Sequence, residues 1–249
     1  MKRINDKKHF ITIVTSRSYK ESMPHLKVVK NLINFFIGNN GAVLVDNIKN
    51  NLLKTPKTIS LEFINSIIKD VELLGGTIQI ITSKNIYIDS HINSLKDNSL
   101  LQKSMITTNT IPVSKYEIGA IQVHKNEVIQ LTVVINSDLI QELLIYFKKF
   151  YTSDYDFNIS SDITIDINVS GVNKYEGVKT LISLYNINIK NIFCFGNMES
   201  DIELMKNIKN TYALENSAPI IKELAKNIIN VGDTKTIVCE VQKILKNEL

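Results

Sequence analysis

The chain has no tryptophan and only two cysteines, Cys194 and Cys239. Two distant thiols in apolar surroundings, without metal-ligand spacing, argue against a disulfide framework and a zinc ribbon, and for free thiols in a reducing compartment. Only four prolines and nine glycines occur, too few for collagen-like or proline-rich architecture. No apolar run approaches the roughly 20 residues that span a bilayer, and Met1 to Lys8 lack the apolar core of a secretion leader. A cytoplasmic protein without a membrane partner is therefore expected. Charge of either sign is not blocked: 29 basic and 25 acidic residues are dispersed, net +4. No basic stripe points to nucleic acid. No internal repeat or low-complexity tract is present.

What is present is a composition ordinary for a folded protein, 44% hydrophobic and 22% charged. At 249 residues the chain can form one large domain or two smaller ones. Its organising stretch runs from Asn191 to Met205. Ile192 to Phe195 is the right length for a strand buried on both faces, and Gly196 allows a sharp turn. Ser200 and Glu203 then fit a capping box, with Ile202, Leu204 and Met205 opening an apolar helix face. Glu199 and Asp201 stand at the carboxyl end of that strand. They either complement a helix dipole or help hold phosphate and metal, as strand-end carboxylates do in α/β proteins.

Earlier in the chain, Phe10 to Val14 reads as a strand ending in Thr15-Ser16-Arg17-Ser18-Tyr19. Ser18 and Glu21 form a possible capping box for a helix carrying Leu26, Val28, Val29, Leu32 and Ile33. Phe35 to Ile37 is a second strand, Asn39-Asn40-Gly41 a turn, and Val43 to Asp46 a returning strand. Strand, helix and strand in this order predict a parallel pair. From about Leu52 the rhythm changes. A helix over Ile59 to Leu74 stops at Gly75-Gly76, strands follow at Thr77–Thr82, Ile86–Asp89 and Val128–Ile135, then a helix over Ser137–Tyr151 and strands at Phe157–Ser160 and Ile163–Asn168. Ser90 to Ser114 reads as loop or weak helix. This middle stretch lacks βαβ order and predicts an inserted α+β unit. A helix over Tyr175–Tyr185 leads back to the strand at Ile192. Tyr212 to Ala225 reads as strand, turn and helix.

Gly196, Asp201 and Met205, with Asn216 and Ala218 more loosely, resemble the last motif of haloacid dehalogenase-like phosphatases, nearest the Cof-like sugar-phosphate branch. That motif is usually Gly-Asp-x-x-Asn-Asp-x-x-Met followed by a strand ending in Asn-Ala; Asn197 and Ser200 stand here in place of Asp and Asn. Thr15, Arg17 and Tyr19, then Asn40, Gly41 and Ala42, match the branch's Thr-Gly-Arg-Pro-Tyr and Asn-Gly-Ala. Lys174 matches its third motif. Singly, Thr15 and Ser18 also read as helix-start residues, Arg17 as a surface charge and Lys174 as a solvated lysine.

The resemblance implies an α/β fold: a Rossmann-like parallel sheet core over residues 1–50 and 168–249, with an inserted α+β cap domain over 51–167. It implies Mg2+-dependent hydrolysis of a small phosphorylated metabolite. Thr15 would hold phosphate, Lys174 balance charge, Asn197 and Asp201 lie at the metal, and Arg17, Asn40 and Asn216 on the substrate side. The branch's first motif, Asp-x-Asp-Gly-Thr, whose first Asp attacks phosphorus, has no counterpart here; the only acid before Thr15 is Asp6. The chain is expected to begin within the helix that follows that motif, to lack a central strand between those at Phe10 and Ile192, and to be impaired in catalysis. The alternative is a non-catalytic phospho-ligand binder or remnant.

Overall fold

A computed structural model describes residues 9–89, 110–113, 128–151, 154–230 and 235–247. The β-branched run after Phe10 forms β1 (Thr12–Val14), and the apolar run after Asn34 forms β2 (Phe35–Gly38). The two pair in parallel with Ile13 opposite Phe36, as the intervening helix requires. That helix, α1 (Tyr19–Leu26), starts on the expected capping box: Ser18 Oγ accepts from Glu21 N, and the Glu21 carboxylate accepts from Ser18 N at 2.7 Å. It ends well before Ile33. Pro24 lies inside it and the β-branched pair Val28-Val29 follows, both unfavourable to further helix. Val28 is left 95% exposed.

Asn39, Asn40 and Gly41 turn the chain back with φ of 53°, 53° and 97°, and β3 (Val43–Asp46) pairs antiparallel with β2. A further strand, β4 (Asn51–Lys54), pairs with β3 and carries this sheet past residue 50. Its side chains are mostly exposed, so no buried alternation marked it in the sequence.

The middle of the chain builds a separate sheet. Helix α2 (Leu61–Leu73) is followed by β5 (Thr77–Thr82), β6 (Ile86–Asp89), β7 (Thr110–Val113) and β8 (Val128–Val134). Then come α3 (Ile140–Phe150), β9 (Tyr155–Ser161) and β10 (Thr164–Val169). The strand order is β7-β6-β5-β8-β10-β9. Strand β7 corrects the expectation of loop or weak helix there; it is short, contains Pro112 and lies at the sheet's edge, where proline is tolerated. The remainder of Ser90 to Ser114 lies outside the described residues.

Strand alternation gives this sheet two unlike faces. Ile78, Ile80, Leu131, Val133, Ile165 and Ile167 pack with Phe63, Ile67 and Phe147 of the two helices in one buried cluster. On the other face Gln79, Gln130, Thr132, Asp166 and Asn168 are buried although polar. Two links join the inserted unit to the rest, and they meet where Lys57 Nζ donates to Ser170 O at 2.7 Å.

The chain then returns through α4 (Lys174–Tyr185), β11 (Phe193–Gly196), α5 (Ile202–Asn207), β12 (Asn210–Leu214), α6 (Pro219–Leu224), β13 (Asn227–Ile229) and α7 (Lys235–Asn247). Strands β11, β12 and β13 are parallel neighbours. Among the described residues β1 and β11 are each paired along one edge only, and no ladder joins the two half-sheets. Strand β11 is accordingly not buried on both faces: Phe193 and Cys194 are half-buried, and Phe195 is 37% exposed, its ring stacked on Tyr212. Side chains bridge what the ladder does not. Phe35, Ile37 and Leu44 share one cluster with Val178 and Leu181 of α4 and with Leu204 and Ile208, and Val14 and Cys194 pack against it.

Candidate active site

The segments that follow β1, β2, β11 and β12 carry most of the residues singled out above, while Lys174, at the start of α4, is the most tightly held. Asn173 caps α4 by accepting from Glu176 N, which places Lys174 at the first helical position, 6% exposed. Its ammonium donates to Asp201 Oδ1 at 2.6 Å and to Ser200 Oγ at 2.8 Å. A buried ammonium is costly unless it is paired and hydrogen-bonded, and here it is both.

Asp201 has a second task. Its Oδ2 accepts from Asn197 N at 2.9 Å and Met198 N at 3.2 Å, closing the loop after β11. The expected Ser200–Glu203 capping box does not form: Ser200 faces Lys174, Glu203 pairs with Lys206, and α5 begins at Ile202 after one 3-10 turn. Asp201 makes no side-chain cap to α5; as third residue of the 3-10 turn it reaches back to Met198 N, the part a capping-box carboxylate plays. Gly196 leaves room for it, since a Cβ there would lie 3.1 Å from Asp201 Cβ and 2.9 Å from Met205 Sδ.

Thr15 ends β1. Its Oγ1 accepts from Arg17 N at 3.2 Å and its carbonyl from Asn40 N at 3.2 Å. The Arg17 side chain is exposed, with no partner among the described residues. Asn40 is 3% exposed and donates Nδ2 to Asn168 Oδ1 at 3.0 Å, a contact within the protein. Gly41 packs on the α4 cap so closely that a Cβ would come 2.1 Å from Asn173 O. That contact brings the 39–41 turn beside Lys174.

Asn197 is exposed and its carbonyl accepts from Ala218 N. Asn216 is exposed in the next turn; its neighbour Ser217 makes the link, accepting from Leu214 N and donating to Gly196 O at 3.4 Å. Sequence reasoning missed Ser217, Gln130 and Asn168. Ser217 lies between the matched Asn216 and Ala218, whereas the other two occupy ordinary strand positions.

A magnesium ion wants several hard oxygen ligands. Among the described residues no group of three or more Asp, Glu, His or Cys side chains converges to hold one. Both Asp201 oxygens are engaged, and Asn197 offers a neutral amide. These residues do not by themselves fit a magnesium site.

A haloacid dehalogenase-like hydrolase family model matches residues 1–239. The chain belongs to that family. A candidate phosphatase of Mycoplasma genitalium, MG265, is 26% identical over 199 residues, 77% of this chain and 70% of that protein. In fold, the haloacid dehalogenase-like chain is similar to SMU.1108c from Streptococcus mutans, with TM-score 0.80 and 19% identity over 98% of this chain and 89% of that one. It is also similar to the subclass IIB sugar phosphatase BT4131, with TM-score 0.78 and 19% identity over 97% and 88%. These likenesses agree with the Cof-like resemblance of the sequence. Among the described residues no helix is long and apolar enough to cross a membrane.

Proposed function

We propose that the chain serves the family's phosphomonoester chemistry on a small phosphorylated metabolite, in the cytoplasm, and that this polypeptide by itself binds its ligand better than it hydrolyses it. The observation that supports the reading is the Lys174 ammonium, fixed at the strand ends by Asp201 and Ser200. An ammonium held in place this way stabilises negative charge on a phosphoryl group without reorganising. Thr15 Oγ1 accepts one hydrogen bond from Arg17 N and keeps its own proton for a phosphate oxygen. Arg17 and Asn216 are exposed at the same strand ends and suit the rest of the ligand. The inserted unit is read as the cap, its polar face toward the core.

The carboxylates among the described residues support the reading of impaired turnover. The carboxylate in contact with Lys174 is Asp201, whose two oxygens hold the ammonium and two backbone N–H groups. A nucleophile needs a free lone pair aimed at phosphorus, and Asp201 is not so disposed. Magnesium belongs to the family expectation, and the described residues supply no site for it. A non-catalytic phospho-ligand binder is the second reading, favoured by the same engagement of Asp201.

The test is phosphate release from an aryl phosphate and several sugar phosphates, with and without magnesium, beside calorimetric titration with inorganic phosphate. Phosphate binding that weakens in Lys174→Ala, with turnover at background, is expected. Turnover abolished by Lys174→Ala would overturn the impaired reading and require another nucleophile.

A further inference from the structure

Two consecutive asparagines adopt left-handed backbone after β2, with Asn39 and Asn40 both at φ 53°. Asparagine tolerates this region better than most residues, yet it remains uphill and needs support from its surroundings. Support comes from two sides. On the core side Asn39 N donates to Arg17 O at 3.0 Å and Asn40 N to Thr15 O at 3.2 Å, so the turn carries the loop at the end of β1. On the other side Asn39 Nδ2 donates to Gln130 Oε1 at 3.1 Å, and Asn40 Nδ2 to Asn168 Oδ1.

Asn168 is fully buried, and its Nδ2 donates to two carbonyls, Asn39 O at 3.3 Å and Ile129 O at 3.1 Å. With its nitrogen facing two acceptors, its oxygen must face Asn40; the partners fix the orientation of the amide. Asn40 Nδ2 is thereby committed, and Asn40 Oδ1 is buried without a partner. Asn40 is therefore held against the inserted unit. This contact gives Asn40 a role within the fold beside the substrate contact that the resemblance implies.

We propose that Asn168, with Gln130 beside it, is a positioning residue: by gripping the 39–41 turn it sets the Thr15–Arg17 loop, so that phosphate binding depends on a side chain of the inserted sheet, at the end of β10, that touches no phosphate. The proposal rests on the phosphate-site reading above for its ligand and on the hydrogen bonds alone for its grip. Gln130 extends the grip inward. Its Nε2 donates to Thr132 Oγ1 at 3.3 Å, and Thr132 Oγ1 donates to Asp166 Oδ1 at 2.7 Å, a one-way chain anchored in the sheet.

The full chain is compared with Asn168→Ala, Asn40→Ala and the double variant by amide hydrogen exchange and by titration with inorganic phosphate. Ile165→Val, which trims the opposite face of the sheet, is the control for general destabilisation. In Asn168→Ala, which removes the bonds to Asn40, Asn39 O and Ile129 O, exchange at Arg17, Asn39 and Asn40 should rise by about tenfold or more, the scale of at least one buried hydrogen bond, while the amides of α4 hold their protection. Phosphate affinity should fall by about the same factor, and the double variant should lose little more than Asn168→Ala alone, because that variant has already broken the Asn40–Asn168 link. Ile165→Val should leave both readouts near wild type. Unchanged exchange at the turn, or exchange that rises equally in Ile165→Val, would overturn the grip; unchanged phosphate affinity would overturn its consequence for the loop. If the wild-type chain binds no phosphate, the phosphate-site reading falls and exchange alone decides the grip.

Discussion

Lys174 Nζ and Asp201 Oδ1 stand 2.6 Å apart with both side chains less than a tenth exposed, joining the start of α4 to the loop after β11. Removing one partner strands the other charge in a poorly solvated place. Lys174→Met is expected to destabilise the chain by about 3–5 kcal/mol, and Lys174→Met with Asp201→Asn by clearly less. Urea unfolding checks both; a double variant no more stable than the single would mean that the pair is not what holds this corner.

Asp166 is buried on the polar face of the inserted sheet, and burial pushes its pKa up to about 6 despite hydrogen bonds from Thr132 and Ser160. The neutral form is favoured in the fold, so its contribution is fully present below the unfolded value of 3.8 and is lost as pH rises through about 6. Between those limits the wild type should lose about 3 kcal/mol relative to Asp166→Asn. Unfolding free energies measured from pH 4 to pH 7 test this, and parallel curves for the two proteins would refute it.

The two thiols should react at different rates. Cys194 lies in the bridging cluster, where burial first and then the Asp201 charge push its pKa up to about 12, against a lowering by Lys174. Cys239 is exposed on α7. A thiol-specific disulfide reagent should therefore modify Cys239 quickly and Cys194 only on unfolding. Equal fast rates in native buffer would show that the cluster opens readily.

Gly41 and Gly75 both have positive φ but unlike surroundings. At Gly75 a Cβ meets nothing within 4 Å, whereas at Gly41 it meets the Asn173 carbonyl at 2.1 Å. Gly75→Ala should cost about 1 kcal/mol, the backbone penalty alone, and Gly41→Ala several times that. Thermal melting of both variants checks the ranking.

Much of this architecture was legible because it depends on local chemistry. Ser18 and Glu21 cap α1, Gly75 stops α2, and Phe35 to Gly38 is a buried strand, each from a short run of residues. The site was legible in part. Residue types and order placed Thr15 and Asp201 after strands and Lys174 at a helix start, but local sequence could not show that Asp201 faces an ammonium and two backbone N–H groups. Nor could it show the inward turn of Asn40, since its partner Asn168 is 128 residues away. Strand β4 escaped because exposed pairs carry no hydrophobic period, and the exposure of Phe195 because edge pairing is decided by neighbours, not by composition.

The meeting of Lys57 with Ser170 also bears on the order of assembly. The inserted sheet and its helices come from one continuous stretch, whereas the bridging cluster joins Phe35 to Val178 across most of the chain. Once the insert has formed, its two ends lie together, and the remaining search for the core is that of a short loop instead of a long one. The insert is thus expected to act as an internal template for folding. The slowest refolding species is expected to have the six-stranded sheet already protected while β1 and β11 are still apart.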